Sequence, residues 1–152
     1  MLRLLILSLI VVQNFIFCSP SQDSATTRSI LADSITKIEM NLSAFGVESD
    51  NFPSIEAYID FVQDSSNCVK SYYNPDFKRS SYNLSSIEMK KVLELLRNSD
   101  FGKLKNEYKV SKTDQPTSTT VIYTGNRKFV IKDYGLEGEY PLKELYKIVY
   151  KF

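Results

Sequence analysis

The sequence predicts an α+β fold: an antiparallel sheet of about four to six strands in two hairpins, with two helices packed on one face. Three observations predict it. Segments that alternate apolar and polar residues come in pairs joined by turn residues, as hairpins require. Two later segments instead repeat apolar residues at three- and four-residue intervals, which is helical spacing. The order strands, helix, strands, helix also leaves no βαβ crossover of the kind a parallel sheet needs.

Ile38, Met40 and Leu42 alternate with Glu39, Asn41 and Ser43, giving a first strand with one apolar face. Residues 44–53, with Gly46, Asp50 and Asn51, read as a loop. Ile55, Ala57, Ile59 and Phe61 alternate with Glu56, Tyr58 and Asp60 as a second strand. Asp64-Ser65-Ser66-Asn67 is expected as a turn. Residues 68–73 are expected as the returning strand, and residues 77–82 as a further short one. Ser85 and Glu88 have the spacing of a capping box, and Leu84 and Met89 that of a hydrophobic staple. Met89, Val92, Leu93 and Leu96 form the inward stripe of this first helix, and residues 98–102 end it. Phe101, Leu104 and Tyr108 are expected to carry the packing through a short turn. Residues 117–123 and 128–132 form a second hairpin about Gly125-Asn126, a two-residue turn. Asp133-Tyr134-Gly135 is expected to break the strand, with a loop over residues 136–140. Pro141 suits the first position of a last helix whose Leu142, Leu145, Tyr146 and Val149 face inward.

This domain is expected over residues 35–152. Ahead of it, Met1-Leu2-Arg3 and the apolar run from Leu4 to Val12, extended by Phe15-Ile16-Phe17, match a signal peptide over residues 1–17. The run is too short for a comfortable membrane span of about 20 residues. Cys18 closes it and opens a polar stretch, residues 18–34, that reads as a flexible tether. A cysteine so placed is expected to be the lipidated first residue of a bacterial lipoprotein. Cleavage just after Cys18 or Ser19 is the alternative. Cys68 is the only other cysteine, so an internal disulfide would require Cys18 to remain a free thiol. Beside Val69, Cys68 reads as a small buried hydrophobe. The expected location is the bacterial cell envelope, lipid-anchored in the outer membrane or in the periplasm, or outside the cell.

Arg3 is the only charged residue before Cys18, so the remaining Lys and Arg balance the 18 Asp and Glu. That balance lacks the basic excess of a nucleic-acid binder. The absence of histidine removes the commonest metal ligand and general base, and argues against zinc and Ser-His or Cys-His chemistry. No cofactor or metal is expected.

The second half has a resemblance. Leu84-Ser85-Ser86, Asp100-Phe101-Gly102-Lys103-Leu104 with Tyr108, and the Gly125-Asn126 hairpin come in a familiar order. With Ile131-Lys132-Asp133-Tyr134-Gly135 and Pro141-Leu142-Lys143-Glu144-Leu145, the chain from Lys37 to Phe152 resembles the family of exported bacterial domains of unknown function numbered 6438. It departs from that family at Asn51-Phe52-Pro53, where a glycine-rich turn and a Cys-Pro pair usually stand. The family has no assigned activity, so the resemblance implies no catalytic residues.

Asp133, Tyr134 and Gly135 are the candidate site. An acid and a phenol leaving a strand at a glycine would line a cleft. The expected reading is instead a scaffold, in which Asp133 makes a turn hydrogen bond, Tyr134 packs on the sheet and Gly135 supplies a positive φ. Glu137 and Glu139 with Asp133 offer an acidic loop, though not at calcium-loop spacing. Asp100, Glu107 and Asp114 are candidates for paired-carboxylate hydrolysis. Ten tyrosines suit either half-buried sheet positions or contacts with protein or glycan. Together these features predict a non-catalytic exported envelope domain that binds an unknown protein or envelope component. A small secreted carboxylate-dependent hydrolase and a secreted enzyme inhibitor are the alternatives.

Overall fold

The computed structural model describes residues 35–125 and 127–151. The expected signal peptide, Cys18 and tether lie outside the described residues. The elements are β1 (Ile35–Ser43), β2 (Ser54–Asp60), β3 (Ser65–Ser71), β4 (Ser80–Tyr82), α1 (Ser86–Arg97), a 3-10 turn (Phe101–Lys103), β5 (Glu107–Lys109), β6 (Thr117–Thr124), β7 (Arg127–Tyr134) and α2 (Leu142–Tyr150). The fold is α+β, with all strands in one mixed, mostly antiparallel sheet of order β4-β3-β2-β1-β6-β7-β5.

Alternation decides which face is covered. Ile38, Met40 and Leu42 of β1, Ile55, Ala57 and Ile59 of β2, Cys68 of β3 and Ile122 of β6 are all buried on one side. Against them pack Met89, Val92 and Leu96 of α1 and Leu142, Leu145, Tyr146, Val149 and Tyr150 of α2. The intervening residues of the same strands are half-buried or exposed. Among the described residues no element covers that second face.

The sheet has seven strands rather than about four to six, and the differences have local causes. β5 was not expected; only three residues long, it pairs parallel with β7, with Glu107 opposite Lys132 and Lys109 opposite Tyr134. The first turn comes earlier than its Ser and Asn residues suggest. The Asp60 carboxylate accepts the N–H groups of Val62 and Gln63, both at 2.9 Å, which turns the chain at once. Ser65, Ser66 and Asn67 therefore belong to β3, opposite Asp60, Ile59 and Tyr58. Likewise β7 does not break at Asp133 but runs through Tyr134, still paired with Thr117 of β6. In the second hairpin Thr124 pairs with Arg127, and Asn126 of the expected turn lies outside the described residues. Pro141 stands just ahead of α2 as its N-cap residue.

The helix start at Ser85 is as the capping box implies. Ser85 Oγ accepts the Glu88 N–H at 3.3 Å, and Glu88 Oε2 accepts the Ser85 N–H at 2.7 Å.

Candidate functional site

The Asp133-Tyr134-Gly135 segment does not bring its acid and its phenol into one cleft, because a strand sends successive side chains to opposite faces. Asp133 points inward and is fully buried. Its Oδ1 accepts the Glu137 N–H at 3.0 Å; its Oδ2 accepts the Gly138 N–H at 2.8 Å and the Tyr146 hydroxyl at 2.9 Å. Three donors thus hold one carboxylate between β7, the following loop and α2. A Cβ on Gly138 would lie 2.7 Å from that same Oδ2 and 2.6 Å from Leu142, so only glycine lets the N–H approach. Burial, followed by the neighbouring Asp133 charge, drives the Tyr146 phenol well above its ordinary range, so it stays a donor.

Tyr134 lies on the opposite face, where its hydroxyl accepts the Gln115 N–H at 3.2 Å. It lines a groove of about 550 Å³ with Lys109, Lys112 and Lys132. Gly135 has φ +97°, and a side chain there would run into Val110. The acidic loop does not converge: Glu137 pairs with Lys143 at 2.7 Å and Glu139 with Lys105 at 3.8 Å, while Asp133 is turned inside. Asp100 is paired with Lys103 at 2.8 Å. Cys68 is fully buried, and burial pushes its thiol up to about 11, which keeps it unreactive near neutral pH.

The uncovered sheet face brings together residues that sequence reasoning did not group. Lys37 of β1 lies between two tyrosine rings, its Nζ 4.1 Å from the Tyr123 centroid and 5.3 Å from that of Tyr58. The same ammonium reaches Glu39 Oε1 at 2.8 Å, and the Tyr123 hydroxyl donates to Glu39 Oε2 at 2.7 Å. The Tyr58 hydroxyl donates to Asp60 at 3.3 Å. The bonds from Lys37 and then Tyr123 hold the Glu39 carboxyl below its usual range, and the bond to Glu39 raises the Lys37 ammonium above its own. Glu39 is therefore stabilised as an anion, the reverse of what a general acid needs.

Next to this cluster is an open depression of about 330 Å³, lined by Glu39, Asn41, Glu56, Tyr58, Asn67, Val69, Thr119 and Val121. Its lining comes from four adjacent strands, β6-β1-β2-β3. The signal that would have found it is the polar half of each alternating strand. Lys37, Glu39 and Tyr58 share the exposed face as soon as both helices are assigned to the other.

A family model described as a domain of unknown function, DUF6438, matches residues 69–152. The match begins at Val69 rather than at Lys37, so β1 and β2 fall outside it. No curated protein and no solved structure matches the chain.

Proposed function

The chain belongs to the DUF6438 family of domains of unknown function, and from that premise we propose that it is a binding module of the cell envelope, exported and held by a lipid on Cys18. Its uncovered sheet face is the docking surface for a protein or envelope component. The observation that carries the binding role is the composition of that face. Tyrosine rings at its rim combine apolar area with a hydroxyl. Around them Asn41, Asn67 and Thr119 present amide and hydroxyl groups over a floor that includes Val69 and Val121. This mixture suits a non-obligate interface, which is about as polar as the rest of a surface and rich in tyrosine. The internal bonds of Lys37, Glu39 and Tyr123 fix their side chains in advance, so a partner ordering them loses less entropy.

Photo-crosslinking in intact cells tests the docking surface. A photoreactive residue at Asn67 or Thr119 is expected to give one discrete adduct that Tyr58→Ala diminishes. The same probe at Glu94, on the outer side of α1, is expected to give none. Equal labelling from both faces would overturn the assignment. In the same cells Cys18→Ser is expected to move the protein out of the membrane fraction. Mass spectrometry showing an unmodified mature N-terminus would remove the lipid anchor from the proposal.

A further inference from the structure

β7 has more outer edge than β5 covers. All eight residues of β7 pair with β6 on one side, but on the other β5 reaches only Lys132, Asp133 and Tyr134. The direction of the outer backbone groups is set by the ladder that does exist. Lys132 N–H donates to Asn106 O at 2.9 Å, and Tyr134 O accepts from Val110 N–H at 3.2 Å, both outward. Backbone groups alternate sides along a strand, so Lys128 and Val130 turn their N–H and C=O the same way. Among the described residues no strand meets them there. A groove of about 500 Å³ opens at this position, lined by Asn106, Glu107, Lys128, Phe129, Val130 and Lys132.

We propose that this uncovered stretch of β7 is a strand-addition site for an extended acidic peptide segment of another protein. The backbone groups of Lys128 and Val130 would supply the ladder, and the surrounding lysines the selectivity. Charge chooses the occupant. Residues 100–132 carry seven Lys and Arg against three Asp and Glu. A second copy of this chain added edge to edge would set Arg127, Lys128 and Lys132 against themselves, which like-charge pairing disfavours. The same lysines that guard the edge against its own kind attract a segment with Glu or Asp at alternate positions. Glu107 is the one acid in the groove lining, and it stands at the β5 end. The ladder is the backbone edge of β7 rather than the sheet face, although the side chains of Lys128, Val130 and Lys132 stand opposite Tyr123, Val121 and Thr119. Val130→Pro removes an edge donor and Tyr58→Ala does not, so the two readings fail separately.

The probe is a labelled peptide alternating Glu and Val, followed by fluorescence anisotropy and by amide exchange of the whole domain. Saturable, salt-sensitive binding is expected, with the amides of Lys128 and Val130 becoming protected when peptide is added. Val130→Pro removes one of those donors at an edge position where proline is tolerated. It is expected to weaken binding by about tenfold, the worth of one ladder hydrogen bond, while thermal unfolding stays cooperative. Lys128→Glu, which leaves the backbone intact, is expected to weaken it as well. Absence of binding up to millimolar peptide would overturn the proposal. So would full affinity in Val130→Pro, or equal affinity for a peptide alternating Lys and Val.

Discussion

Asp133 and Thr120 are both polar and fully buried between sheet and helices, on neighbouring strands, yet they stand at opposite ends of hydrogen-bond satisfaction. The Asp133 carboxylate accepts three donors, whereas the Thr120 hydroxyl has no partner among the described residues. The two therefore respond to isosteric substitution with opposite sign. Asp133→Asn turns an acceptor into an NH₂ group that must face a donor, and is expected to destabilise by about 2–3 kcal/mol. Thr120→Val removes an unsatisfied hydroxyl and is expected to stabilise by about 1 kcal/mol. Urea unfolding of both variants beside the parent checks the pair. An Asp133→Asn midpoint at or above the parent's would return Asp133 to the list of site candidates. The sequence marks Asp133 as the start of a turn, and it does bind the turn's N–H groups. What it does not show is the third donor, Tyr146, which only the docking of α2 brings within reach.

At the scale of the element, α1 has its start written into four residues. Glu88 is both the capping partner of Ser85 and the partner of Lys151 at the end of α2, at 3.0 Å. The Ser85 N–H, then Lys151 and the Ser85 hydroxyl, bring the Glu88 carboxyl down to about 2. Because the folded value lies below the unfolded one near 4.5, the stabilisation is complete above pH 4.5. It is lost as pH falls from there toward 2. Glu88→Gln is thus expected to be less stable than the parent at pH 7, with the difference shrinking to nothing near pH 2. Ser85→Ala is expected to cost about 1 kcal/mol at neutral pH. Thermal unfolding across this pH range checks both. A gap that stayed constant with pH would mean the Glu88 charge contributes nothing. Elements with such local grammar, the capped helix and the Gly125 hairpin, can be read directly from the chain. β5 cannot, since Glu107-Tyr108-Lys109 alternates over only three residues, too few to mark a strand, and becomes one only because β7 lies beside it. The start of β3 is similar: Ser65 to Asn67 are polar, and the register with β2 overrides their turn preference.

For the whole molecule, the sheet order sets the folding unit. The family match starts at Val69, yet β1 and β2 are central strands, joining β3 on one side to β6 on the other. A fragment of residues 69–152 would lose the strands between its two halves and expose the apolar faces of both helices. It is expected to be unfolded or aggregated, whereas residues 35–152 are expected to melt in one cooperative transition. Circular dichroism with thermal melts decides it, and a cooperative melt of the shorter fragment would show that β1 and β2 are dispensable. The candidate binding face has the same long-range origin. Lys37, Tyr58 and Tyr123 come from three strands, and while alternation places each on the exposed face, only the pairing of β1 with β2 and β6 makes them meet.

The pairing of β1 with β6 also sets a timetable. Thr36 bonds to the carbonyl of Tyr123, 87 residues further along, so β1 must wait for its second neighbour until most of the chain has been synthesised. At about 10 residues per second the delay is roughly nine seconds. Through that interval β1, β2 and β3 form at most a meander with one apolar face and one open edge. Contacts so distant in sequence close slowly. A chain that cannot complete its fold before its last third emerges stays open at the edge of β1 for that long, with the apolar face of a half-built sheet on view to whatever is nearby.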